Sequence, residues 1–141
     1  MDTELERLVW SRAARRCKYC RLPQFATEFL FHIEHIVALQ HGGRTISANL
    51  ALACPRCNSH KGPNLASVDL QTGRRVWLFH PRRHRWSVHF HWKSLMIVGR
   101  TSIGRATVRL LNMNDPKELE RRRLLKNEGM FPPAEDALPL R

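Results

Sequence analysis

Two CxxC pairs, Cys17/Cys20 and Cys54/Cys57, bracket Glu34-His35 and Asn49, and Asn58 directly follows the second pair. Thiolates at this spacing supply two ligands per pair to a tetrahedral zinc. The 33 intervening residues, from Arg21 to Ala53, then become a loop closed by the metal. Glu, His and Asn inside that loop are the residue types that activate water and hold an oxygen-preferring cation. The chemistry within reach is hydrolysis on a zinc-pinned scaffold.

All four cysteines fall in the two pairs with none to spare. The chain starts Met1-Asp2-Thr3-Glu4, acidic where a secretory signal is basic and then apolar, and it has no apolar run of about 18 residues. A cytoplasmic protein without membrane association is expected. Thiols stay reduced in that compartment, so a zinc site is favoured over a disulfide framework. The formal charge of +12, from 24 Lys and Arg against 12 Asp and Glu, calls for a polyanionic partner, and nucleic acid fits better than an anionic membrane. The basic residues are concentrated: the 45 positions 70–114 hold nine Lys and Arg, four His, three of the four Trp and no carboxylate.

Several elements must position these groups. Leu5, Leu8 and Val9 recur at helical spacing after Asp2 or Thr3, predicting a helix within residues 1–16 that packs on the first CxxC pair. Aromatic and β-branched residues predict a strand over 29–37, which His41-Gly42-Gly43 breaks into a loop, and Leu50-Ala51-Leu52-Ala53 predicts a second strand. Pro55 suits the first turn of a helix carrying Cys57, Asn58 and His60 before Gly62-Pro63. Further on, Gln71-Thr72-Gly73 predicts a hairpin turn. The alternation of Val88, Phe90 and Trp92 predicts a strand. Thr101 or Ser102 and then Asp115-Pro116 predict two helices, the second ending near Asn127 with Gly129 as its stop. The expected organisation is α+β: an N-terminal helix (1–16), a zinc-bearing core (17–69), a basic strand and helix extension packed on it (70–131) and a flexible tail (132–141).

Cys17-x-x-Cys20, Ile33-Glu34-His35-Ile36, Gly42-Gly43, the run from Asn49 through Cys54-Pro55-Arg56-Cys57-Asn58, and Lys61-Gly62 resemble the HNH endonuclease family in order, spacing and residue type. Leu78-Phe79-His80-Pro81-Arg82 and the run from Gly104 to Asn112 also resemble free-standing bacterial members. The resemblance implies a ββα-metal (His-Me) finger, two antiparallel strands and a helix around one divalent cation. It implies His35 as general base, a task suited to imidazole, whose ordinary pKa of about 6.5 leaves it mostly unprotonated at pH 7. It also implies Asn49 as the residue that orients the base through the loop. Glu34, where the family more often has Asp, and Asn58 are implied as ligands of a Mg²⁺ or Mn²⁺ ion, which makes the chain an H-N-N variant.

Glu34 and His35 are adjacent, so a regular strand sends them to opposite faces unless it bends or bulges. His32 shares a face with Glu34 and is expected to be a packing histidine. His60 is a candidate further ligand for metal or phosphate, and His41 a plain loop residue. Lys61, Arg82, Arg83, Arg85 and Lys93 are the expected nucleic-acid contacts, whereas Trp77, Trp86 and Trp92 are expected in the core. Nothing in the chain resembles a base-reading module. The expected function is metal-dependent cleavage of DNA, as a monomer that nicks or a homodimer that cuts both strands. The rival reading is a zinc-containing nucleic-acid-binding protein without catalysis, or a subunit of a larger defence or recombination complex directed by a protein partner.

Overall fold

The computed structural model describes residues 1–133, so the expected tail lies, from residue 134 onward, outside the described residues. The protein is a mixed α/β structure of three two-stranded antiparallel sheets and five α-helices among those residues. Helix α1 (Thr3–Arg12) starts at Asp2, whose carboxylate accepts from the Glu4 amide at 2.9 Å. Val9 and Ala13 face inward, and Ala14 and Arg15 take left-handed backbone angles that turn the chain into the first CxxC pair.

Strand β1 (His32–His35) pairs with β2 (Leu50–Ala53), shorter than the expected strand over 29–37. The partner sets the limit: past Ala53 the chain passes through Cys54, which caps helix α2 (Pro55–Lys61), so no backbone is left to pair with Phe29 and Leu30. Both of those side chains are exposed. All four β2 residues are buried, as a strand packed on both faces must be.

Strands β3 (Ala66–Asp69) and β4 (Arg74–Trp77) form the expected hairpin, turned by Gly73 at φ +74°. The expected strand through Val88 is only half realised. Residues 86–89 form a helical turn, α3 (Trp86–His89), and the strand β5 (Phe90–Lys93), paired with β6 (Met96–Gly99), begins at Phe90. Trp86 is drawn into the core, where its Nε1 donates to the Tyr19 carbonyl at 2.7 Å, and this tertiary bond overrides the local alternation. Helix α4 (Ser102–Leu110) is capped by Thr101, and α5 (Pro116–Asn127) by Asp115 with Pro at its first turn. Gly129 follows α5 at φ +74°. A Cβ on Gly104 would lie 1.9 Å from the His89 carbonyl oxygen, so α4 seats on α3 only because that residue has no side chain.

One buried cluster joins Val9, Cys17, Tyr19 and Leu52 to Phe79, Trp86, Phe90, Leu111 and Leu125. The basic region therefore shares a core with the zinc-pair region. Arg105 clamps the β3–β4 hairpin onto α4: its Nε and Nη2 reach the two carboxylate oxygens of Asp69 at 3.1 and 2.9 Å, and Thr72 and the Gln71 amide bond the same carboxylate. The Arg105 guanidinium, first among these partners, holds Asp69 down to about 2. No helix among the described residues is long and apolar enough to cross a membrane.

A double-mutant cycle tests the clamp. Asp69→Ala and Arg105→Ala each lower the thermal midpoint, and the double variant is little worse than the more damaging single one. Additive losses would show that the two side chains act separately.

Candidate functional site

The four cysteine sulfurs are all buried and lie within 4.8 Å of one another. Cys20 and Cys54 Sγ are 3.7 Å apart, against about 3.8 Å for two thiolates on a tetrahedral zinc with bonds near 2.3 Å. Backbone amides support the sulfurs: Cys20 N–H points at Cys17 Sγ at 3.5 Å and Cys57 N–H at Cys54 Sγ at 3.4 Å. The first pair sits in a tight knuckle in which Cys17 N bonds the Leu22 carbonyl, Arg21 N bonds the Cys17 carbonyl, and Lys18 N bonds the Leu52 carbonyl on β2. Spacing, burial and donor chemistry fit zinc. It is the one group of three or more His, Cys, Asp or Glu that could hold a metal among the described residues.

The pairing of β1 with β2 runs without a bulge from His32 opposite Ala53 to His35 opposite Leu50, and Ile36 N still bonds the Asn49 carbonyl at 2.8 Å. Adjacent side chains therefore leave on opposite sides. Glu34 turns inward and is 6% exposed. Its Oε1 accepts from the Tyr19 hydroxyl at 2.8 Å and lies 3.3 Å from Lys61 Nζ, which also donates to the Ile36 carbonyl at 2.9 Å. Burial is the largest influence on Glu34 and raises it to about 7, with Lys61 and Tyr19 acting against that rise.

His35 emerges on the other side, with Nε2 2.8 Å from the Thr45 hydroxyl. Asn49 organises the loop carrying Thr45. Its Oδ1 accepts from Val37 N at 2.8 Å, and its Nδ2 donates to the Val37 and Arg44 carbonyls at 3.0 and 2.9 Å. Gly43 makes that loop sterically feasible, since a Cβ there would sit 1.7 Å from the Val37 oxygen. From α1, Arg12 ties the same segment down through the Ser47 hydroxyl and carbonyl, both at 2.7 Å, and the Leu50 carbonyl at 2.8 Å.

Asn58 is half-buried and stands three residues before Lys61 on α2. Both contacts to Glu34 use Oε1. Three expectations need correction. His32 is exposed rather than packed. Lys61, expected at nucleic acid, is 2% exposed and its ammonium serves internal bonds. Trp77, expected in the core, is 68% exposed, while Trp86 is buried and Trp92 half-buried. His60 is exposed with Nδ1 3.0 Å from the Arg56 carbonyl and does not join the cysteines. Arg83, Arg85 and Lys93 are exposed and Arg82 is half-buried.

Residues 17–64, which carry the cysteines, His35, Asn49 and Asn58, match the family model described as HNH endonuclease. This segment is an HNH endonuclease domain. The four-cysteine cluster fits a zinc-binding variant of the HNH type. No curated protein and no solved structure matches the chain. Tyr19, Arg12 and Thr45 support the HNH segment yet had no signal in the sequence, because each acts through a neighbour brought close by folding.

Elemental analysis of protein purified without added metal should find one zinc per chain. Cys54→Ser should unfold or strongly destabilise the domain, since structural zinc supplies on the order of 10 kcal/mol. A metal-free, fully folded protein would show that the cysteines pack unliganded. A second measurement concerns Glu34. Its folded value of about 7 lies above the unfolded 4.5, so the folded state holds the extra proton, and the carboxyl's contribution is greatest below 4.5 and declines as pH rises toward 7. The melting temperature of native protein relative to Glu34→Gln should therefore fall between about pH 4.5 and 7 and then level off. A difference that rises with pH over that window would mean that Lys61 outweighs burial.

Proposed function

We propose that the chain is a metal-dependent endonuclease that hydrolyses phosphodiester bonds in DNA, its β1, β2 and α2 forming a ββα-metal finger. The observation that carries the reading is the support around His35. Asn49 and Gly43 lock a loop whose Thr45 hydroxyl meets the ring on the face away from the core. With Nε2–H donated to Thr45, the ring holds its lone pair on Nδ1, the nitrogen that takes the proton from the attacking water. The water oxygen bonds to phosphorus as the bond to the 3′ oxygen breaks. Glu34 and Asn58 would hold a Mg²⁺ or Mn²⁺ ion, which when bound supplies charge neutralisation at the phosphate and the leaving oxygen.

The remaining residues position and attract. Tyr19 and Lys61 fix Glu34 on the inner face, and Asn49 fixes the loop. Arg83, Arg85 and Lys93 lie exposed in a stretch of 45 positions without a carboxylate, where they neutralise backbone phosphates irrespective of sequence. One observation favours the rival, a nucleic-acid-binding protein without catalysis: Glu34 already has the Lys61 ammonium beside it.

A plasmid-nicking assay with and without added Mg²⁺ separates the two. Native protein should nick in a divalent-dependent way. His35→Ala should lose roughly 10²–10⁴ in rate with zinc content and DNA affinity near native, the range general-base catalysis supplies. His32→Ala should cleave normally. Cleavage that survives His35→Ala and fails with His32→Ala would reassign the base, and no cleavage by native protein would favour the rival.

A further inference from the structure

Beside the candidate active site lies a cavity of about 370 Å³ whose lining joins the two halves of the molecule. Ile36, Val37 and Lys61 contribute from the HNH segment, and Trp77, His80 and Arg83 are among those that contribute from the basic region. Ile36 and Lys61 place the cavity on the Glu34 side of β1, since alternation along the strand sends Ile36 to the same side as Glu34. No carboxylate lines it. Trp77 ends β4 with its indole 68% exposed, an unusual position for a residue so costly to leave in water.

The imidazoles add directional chemistry. His80 Nδ1 accepts from the Arg82 and Arg83 amides at 3.1 and 3.2 Å, and His84 Nδ1 accepts from the His80 amide at 2.9 Å. A neutral ring that accepts at Nδ1 must carry its proton on Nε2, so each ring is a donor there. Burial, the first cause for both, lowers them, His80 to about 4, which keeps His80 uncharged at neutral pH. The cavity thus offers apolar walls, an aromatic face, uncharged N–H donors and a guanidinium.

We infer that this cavity takes one unpaired nucleobase of the bound DNA, stacked on Trp77, with Arg83 on its phosphate. The occupant's chemistry follows from the lining. A base is flat and apolar on its faces, presents acceptor oxygens and nitrogens at its edge, and arrives on a polyanionic strand, while a base kept in the duplex stack cannot enter a concave site. The inference rests on the nuclease reading for its placement and deepens it: the preferred substrate is DNA with an unstacked nucleotide next to the bond to be cut.

The test uses two duplexes of equal length and charge, one fully paired and one with a single 2-aminopurine opposite an abasic site, titrated at one salt concentration without added divalent ion. Native protein should bind the second at least about fivefold more tightly, the low end of the stacking range, and quench its fluorescence. Trp77→Ala should lose that preference and the quench with unchanged affinity for paired DNA, and Trp77→Phe should retain most of both. Equal binding of the two duplexes by native protein overturns the inference, as does a preference that survives in Trp77→Ala or a loss that falls equally on both. Equal binding together with Mg²⁺-dependent plasmid nicking would overturn the base site alone, whereas absence of all DNA binding by folded protein would overturn the nuclease reading with it.

Discussion

Closure of the four-cysteine cluster is the constraint on which the rest of the structure depends. It joins the knuckle after α1 to the end of β2 and the first turn of α2, so three segments that are far apart in the chain are held at one point. Cys54 does two things there, since its sulfur belongs to the cluster and also accepts the Cys57 amide as the cap of α2. A helix of seven residues is far too short to persist alone. The cluster stabilises it and sets its angle to β1, and that angle brings Lys61 to Glu34.

The inner face of β1 is a burial problem solved by three groups. Glu34 is taken out of water, which raises its affinity for a proton. Tyr19 and Lys61 oppose this with a hydroxyl donor and a positive charge on the same oxygen. Such an arrangement is sensitive to loss of any one member, because the remaining groups would be buried without partners. The outer face has the opposite character. His35 sits at the strand's end, half-buried and held by a hydroxyl on a loop that Asn49 and Arg12 keep in place. Regular pairing of β1 with β2 sends these neighbouring side chains to opposite sides of the strand.

The basic region is part of the same body. Phe79, Trp86 and Phe90 pack in one cluster with Tyr19 and Cys17, and Trp86 bonds the Tyr19 carbonyl inside the cysteine knuckle. A change in the knuckle is therefore felt by the arginine-bearing segment, whose Arg83 and Arg85 lie within three residues of Trp86.

Much was legible in the chain alone, because it is written in spacing. The paired CxxC motifs, the cap at Asp115, the helix starts at Asp2 or Thr3 and at Thr101 or Ser102, and the glycines at 73 and 129 act on residues a few positions away. Local chemistry is enough to read them. The order of strand, loop, strand and helix from the first cysteine pair through the second followed for the same reason. Tertiary structure decided what depends on a distant partner. Strand β1 is short because β2 is short, and α3 replaces the expected strand because Trp86 has a bond to make with Tyr19. Lys61 and Trp77 exchanged their expected places: one long cation found a buried carboxylate and a carbonyl, while one large indole was left facing a cavity. No sequence pattern encodes either outcome, since burial is set by what the folded chain brings opposite a residue rather than by the residue itself.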